Sequence, residues 1–186
     1  MIKRIKGLFS KRSDEDIFVR RSRTGGAARR LERYAEAAAL AEGGAQDLAR
    51  EIIRREIREH PKILVVAEGS TFPIRLVEFA VGLAKRMGYE IVALNCAGFS
   101  QERSGAHMKA LFQQFKERAV QGGELLASRA AEEGVPFSQI VRPDSVAQCV
   151  RDLEREMSRL QIVLTEPEAT RELGAATSIP VFGVTG

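Results

Sequence analysis

Between Lys62 and Glu68 the chain carries five consecutive apolar residues, Ile63-Leu-Val-Val-Ala67. The run is too short for a helix core and too continuous for a half-solvated strand. It fits a parallel strand covered on both faces. The following residues, Glu68-Gly-Ser-Thr-Phe-Pro73, form a turn in which Ser70 or Thr71 is expected to cap a helix, with Pro73 in its first turn. That helix is expected to bury Leu76, Ala80, Leu83 and Met87 and to stop at Gly88. A strand that turns into a helix at its carboxyl end builds the kind of junction where open parallel sheets bind ligands.

The alternation continues to the carboxyl end. Strands are expected at Glu90–Asn95, Phe137–Arg142, Ile162–Thr165 and Pro180–Val184. A long helix is expected from Ser104 to Glu133, with Leu111, Phe112, Phe115, Leu125 and Leu126 inward and Gly122-Gly123 weakening its middle. Pro143-Asp144-Ser145 should start a further helix reaching Leu160, with Val146, Val150, Leu153 and Met157 inward. Strand and helix in alternation predict a three-layer α/β fold with an open parallel sheet of five strands and right-handed crossovers.

Ahead of this domain (61–186) lie two other zones. Residues 27–60 are alanine-rich and read as two helices broken at Gly43-Gly44, with Leu31, Tyr34, Ala35 and Ala38 on one stripe and Leu48, Ile52 and Ile57 on the other. The second should end at His60-Pro61. Residues 1–26 are a basic tail, amphipathic or flexible, that ends in Thr24-Gly25-Gly26. Residues 1–33 hold eleven basic side chains against four acids, a balance of +7; with +4 for the whole chain, the remainder carries −3. The basic character therefore belongs to the extension and says nothing about the domain's ligand.

Within the tail, Ile2, Ile5, Leu8 and Phe9 share a helical stripe flanked by Lys3, Arg4, Lys6, Lys11 and Arg12. That pattern suits an anionic membrane surface or a membrane protein, where each cation contributes about 1 kcal/mol before ordering costs; a solvated tail is the plainer reading. Nucleic acid is not an expected partner, since aromatics are scarce around Arg20-Arg21-Ser22-Arg23 and nothing resembles a recognition helix. Cys96 and Cys149 stand apart without CxxC spacing and read as core thiols of a reduced, cytoplasmic protein, with the inner face of the membrane as a peripheral location. His60 and His107 are isolated, so no metal site is expected. No apolar run approaches the ~18 to 20 residues of a membrane-spanning helix, and a secretory signal is not expected. P-loop and dinucleotide glycine patterns are absent.

Lys62-Ile-Leu-Val-Val-Ala-Glu-Gly-Ser70, the helix ending Gly-Leu-Ala-Lys-Arg-Met-Gly88, and Glu90-Ile-Val-Ala-Leu-Asn95 resemble the opening of a universal stress protein domain; Ile179-Pro-Val-Phe-Gly-Val184 resembles its end. The resemblance spans roughly Lys62 to Gly186. It implies the strand order 3-2-1-4-5 and a homodimer, with Val181, Phe182, Gly183 and Val184 as the dimer edge. Some family members regulate membrane transporters, and some bind ATP or AMP. In the nucleotide-binding members an acidic residue after the first strand contacts the nucleoside, and a Gly-x-x-Gly loop after the fourth strand, followed by Gly-Ser or Gly-Thr, holds the phosphates.

Glu68 takes the acidic place, but the glycine loop is missing: the chain reads Thr165-Glu-Pro-Glu-Ala-Thr-Arg-Glu-Leu-Gly174. Glu68 is expected to face these acids, a repulsion of roughly 4 kcal/mol at ~4 Å and an effective dielectric of about 20, partly offset by Arg142 and Arg171. The candidate crevice comprises Ala67, Glu68, Gly69, Ser70, Asn95, Thr165 and Glu166, each also readable as loop or cap. Ser70 has no histidine placed to activate it. The expectation is a non-catalytic regulatory or adaptor protein with no cofactor. The alternatives are an ATP- or AMP-binding stress sensor using Glu68 and Thr165-Glu166 and, further off, a weak hydrolase or transferase.

Overall fold

The computed structural model describes residues 18–22, 35, 39, 61–99 and 106–185, with the backbone alone at 18–22 and 106. The tail positions Ile2 to Phe9 and nearly all of the helical pair at 27–60 lie outside the described residues; Ala35 and Ala39 are helical and exposed. The elements are β1 (Phe18–Ser22), β2 (Lys62–Glu68), α1 (Ile74–Met87), β3 (Glu90–Cys96), α2 (Ala106–Gly122), α3 (Glu124–Glu132), β4 (Phe137–Arg142), α4 (Val146–Glu156), β5 (Leu160–Thr165), α5 (Pro167–Ala176) and β6 (Val181–Gly183).

β2 lies at the centre of the sheet, between β3 and β5. Ile63 to Ala67 are buried on both faces, as the unbroken apolar run requires. The parallel strands run β4-β3-β2-β5-β6, which is the order 3-2-1-4-5 when they alone are numbered. A sixth strand was not expected. β1 joins the β4 edge antiparallel, with Phe18 opposite Val141 and Ser22 opposite Phe137. The segment 18–22, which the sequence pattern assigns to the tail, is thus part of the sheet.

One face of the sheet is packed by α1 and α3, which bury Leu76, Val77, Ala80, Leu126 and Ala130 over Ile63, Val65, Ile91 and Phe137. α2 adds Phe112 and Ala119 over Val141. α4 and α5 cover the other face with Cys149, Val150, Leu153 and Leu173. Gly88 closes α1 in the left-handed conformation, φ 68°, as expected. Ser145 caps α4 by accepting a hydrogen bond from the Gln148 amide at 3.4 Å.

Four local expectations fail for identifiable reasons. α1 is capped by neither Ser70 nor Thr71: Pro73 is the N-cap residue, without a side-chain cap. Proline keeps the preceding Phe72 out of helical geometry, so both hydroxyls fall short of the first free amides. Met87 ends α1 exposed, beyond the reach of the sheet. The long helix is two, α2 and α3, parted at Gly123, and Leu125 in the first turn of α3 is exposed. α4 ends at Glu156, short of Leu160, which instead opens β5. Among the described residues no helix is long and apolar enough to cross a membrane.

Candidate functional site

The crevice lies where the strand order reverses, between the carboxyl ends of the parallel strands β2 and β5. Gly69 leaves β2 with φ at 121°, a conformation open to glycine and strained for any L side chain. That turn aims the Gly69 carbonyl at β3, where the Asn95 amide donates to it at 2.9 Å. Asn95 is fully buried, and its own carbonyl oxygen accepts from Gln139 Nε2 on β4 at 2.9 Å. The same Gln139 nitrogen donates to the Ala119 carbonyl of α2 at 2.7 Å, while the Gln139 Oε1 has no hydrogen-bond partner among the described residues.

The junction of α2 and α3 seats on this network. A Cβ at Gly122 would stand 1.9 Å from the Ser70 carbonyl oxygen, and one at Gly123 would stand 2.5 Å from the Gln139 amide atoms. Both glycines therefore mark close approach. The structure places Gly69, Ser70 and Asn95 together: Asn95 is buried, and the half-buried Ser70 turn has α2 packed closely against it. Ala67 points into the apolar core with Leu76. Glu68 is the exposed end of β2, aligned with Cys96.

On the β5 side the chain goes from strand to helix with no loop. Thr165 is buried, and its carbonyl accepts from the Val184 amide at 2.9 Å. Glu166 is the N-cap residue of α5 and Pro167 occupies the first turn, with Glu168 beside it. The Glu166 carbonyl accepts from the Thr170 hydroxyl at 3.3 Å. Proline supplies no amide, and the acids oppose an anion at a helix terminus that would otherwise favour one. Glu68 and Glu168 are exposed, so water reduces the anticipated repulsion to about 1 kcal/mol even at 4 Å.

Arg142, expected to offset those acids, is only 4 % exposed and turned towards α4, where it pairs with Glu156 and, at 3.9 Å, with Asp152. Gln139 and the glycine pair were missed as site residues. The available signal was a polar amide inside the otherwise buried strand FSQIVR, since such a group needs a partner. Among the described residues no group of three or more His, Cys, Asp or Glu side chains is arranged to hold a metal ion.

Among the described residues β6, the last strand, pairs with β5 alone and no strand lies along its other edge. Phe182 is 52 % exposed there, and with Phe79, Leu83, Ile162 and Val184 it lines an apolar groove of about 490 Å³.

No family model and no curated protein matches the chain. Solved structures do. A protein of the universal stress protein family from Burkholderia pseudomallei aligns over 68 % of this chain and 97 % of its own, with a TM-score of 0.54 and 16 % identity. The universal stress protein from Archaeoglobus fulgidus aligns over 72 % of this chain and 99 % of its own, with a TM-score of 0.55 and 11 % identity. This chain has the universal stress protein fold. A structure of a universal stress protein from Archaeoglobus fulgidus in complex with dAMP aligns over 68 % of this chain and 98 % of its own at a TM-score of 0.53 and 13 % identity. Relative to the five parallel strands expected of the universal stress protein fold, β1 is an addition at the β4 edge.

Proposed function

We propose that this chain is a non-catalytic regulatory or adaptor protein of the universal stress protein fold that does not hold nucleotide phosphates in its crevice. The observation that carries this reading is the passage from β5 to α5: Thr165-Glu166-Pro167 connects them directly, with an acid and an imino acid where phosphate-binding amides would have to lie. The hydrogen bond of Gln139 to Asn95 and the close packing of Gly122 on the Ser70 carbonyl support it from the other side. The opposing reading, an ATP- or AMP-binding sensor, draws on the dAMP complex of a universal stress protein from Archaeoglobus fulgidus. Native mass spectrometry of the gently purified full chain decides between them. The expected spectrum is free of nucleotide, and a stoichiometric ATP or AMP adduct would refute the proposal.

Two contacts follow from this reading. The open edge of β6 and the exposed Phe182 favour self-pairing of two copies along that strand, since an unpaired edge templates a further strand. Light scattering should give a dimer for the native chain and a monomer for Phe182→Asp; a native monomer would remove the dimer. The basic segment 1–12 supplies a contact with an anionic membrane surface or a membrane transporter. Because Phe18 lies opposite Val141, at the carboxyl end of β4, the chain enters the sheet at the same rim as the crevice. Vesicles rich in phosphatidylserine should pellet the full chain and not a chain lacking residues 1–12. The deletion must stop short of Phe18, since removing β1 alters the sheet itself. Equal pelleting would refute the membrane contact.

A further inference from the structure

Strand pairing along β6 engages the backbone of its edge, but the apolar groove beside it lies on the face of the sheet. α1 supplies Phe79 and Leu83, β5 supplies Ile162 and Leu164, and Phe182 and Val184 complete it at the last strand. Phe79 and Phe182 are each about half exposed. The end of the groove at the carboxyl rim is acidic. Glu166 continues the alternation of Ile162 and Leu164 in extended backbone, φ −71° and ψ 153°. Glu168 follows in the first turn of α5, and Glu68 ends the neighbouring β2; both are exposed. Arg75 stands four residues before Phe79 on α1, and Arg86 three residues after Leu83. Bases therefore border the helix side, and the negative charge stays at the rim.

We propose that this groove holds the amphipathic segment Ile2 to Phe9 of the same chain, with Phe9 at the rim and Lys11 and Arg12 against Glu68, Glu166 and Glu168. The segment lies outside the described residues; its spacing, its charge and its tether select it as the occupant. Ile2, Ile5 and Phe9 follow the i, i+3, i+7 spacing by which an amphipathic helix lays one face into an apolar groove, and Leu8 stands beside Phe9. Lys11 and Arg12 come directly after that face, on the side from which the chain arrives, and the acids lie there.

The tether is long enough. Phe18 opens β1 opposite Val141, at the carboxyl rim of the sheet. The order β1-β4-β3-β2-β5-β6 puts β5 four strand spacings from β1 and β6 five, or about 19 and about 24 Å. Phe9 and Phe18 are nine residues apart, and that length of extended chain spans roughly 30 Å. The connection crosses the rim with chain to spare, and Phe9 is the first apolar anchor to arrive. This docking rests on the reading of residues 1–12 as a contact segment and adds where its apolar stripe goes without a membrane. Lipid and groove then compete for the same side chains.

The chain contains no tryptophan, so Phe9→Trp in the full chain reports on this segment alone. Its emission should be blue-shifted, and its quenching by acrylamide several-fold weaker, relative to a peptide of residues 1–12 with the same substitution. Adding Phe79→Lys, which puts a cation in the groove, should abolish that protection. So should adding Lys11→Glu and Arg12→Glu, changes that leave the folded domain untouched. Emission and quenching equal to the peptide's, or protection that survives either set of added changes, would overturn the proposal. Protection that grows with protein concentration would place the segment on another copy and overturn it as well. Vesicles rich in phosphatidylserine separate this docking from the membrane contact. Protection in their absence without pelleting in their presence refutes the membrane contact and upholds the docking; pelleting by a chain that shows no protection does the reverse.

Discussion

Replacing Gly122 by alanine tests the packing of α2 on the crevice turn most directly. The new Cβ would lie 1.9 Å from the Ser70 carbonyl oxygen, 2.9 Å from its carbon and 3.0 Å from Thr71 Cα. A relaxed C···O contact is about 3.3 Å, so the site is short by roughly 1.4 Å. Every nearby atom is backbone, and no side chain can rotate away. Either the end of α2 or the Ser70 turn must move, and the turn is tied through Gly69 to Asn95. Overpacking of this kind costs about 1–3 kcal/mol. Alanine returns at most about 1 kcal/mol of helix preference, and less at Gly122 because it is the last residue of α2. The expected net loss is about 1–2 kcal/mol.

Gly82 provides the control. It lies inside α1, and a Cβ there would meet only Arg86 Nη1 at 3.5 Å, an ordinary contact. Gly82→Ala should therefore gain up to about 1 kcal/mol. The two substitutions are chemically identical and should differ in sign. Urea unfolding of full-length proteins followed by circular dichroism measures both, with an unchanged slope as the check that the states compared are the same. Thermal midpoints should separate by about 2–4 °C for each kcal/mol. If Gly122→Ala matches or exceeds the native stability, the α2–α3 junction does not close on Ser70, and the crevice is more open than the geometry indicates.

Two other substitutions probe charged contacts. The Glu154 carboxylate accepts from the Ser178 hydroxyl, the Thr177 hydroxyl at 2.7 Å and the Ser178 amide at 3.3 Å, and these bonds, Ser178 first, hold it below its ordinary value of 4.5. A depressed carboxylate stabilises the fold above that ordinary value and loses its contribution as the pH falls through the lowered one. Glu154→Gln should thus be less stable than the native chain near neutral pH and converge with it in acid; parallel curves would refute the assignment. Arg142→Met should cost about 3 kcal/mol, the lower end for breaking a buried pair, because Glu156 is still 27 % exposed. The double variant Arg142→Met, Glu156→Met should recover most of that in urea unfolding. A single-variant loss below about 1 kcal/mol would class the pair with surface bridges.

The parallel strands were legible because burial on both faces leaves an unbroken apolar run, as in Ile63–Ala67, that water-facing elements do not produce. β1 was not legible for the converse reason. Phe-Val-Arg-Arg-Ser has two apolar residues and no alternation, and its partner, Phe137–Arg142, lies more than a hundred residues away. Such a strand exists through pairing with an edge, and a local window holds no record of the edge. The α1 cap shows a milder conflict, in which two good capping residues lost to the backbone restriction that Pro73 imposes on Phe72.

The candidate site was legible as a place and misread as a surface. Asn95 lies one residue short of the end of β3, at the rim, which is also where a ligand-facing amide would sit, and sequence gives the strand end without saying what covers it. Its two polar ends are instead taken by the Gly69 carbonyl and the Gln139 amide. Gly122-Gly123 looked like a weak point in one long helix. In the fold each lacks a side chain because another group occupies that space, the Ser70 carbonyl in one case and the Gln139 amide in the other. Paired glycines at a helix break, combined with a buried glutamine on a neighbouring strand, read better as a close contact than as flexibility. Had they been read so, the sequence would have pointed to a filled crevice before any comparison of its phosphate loop.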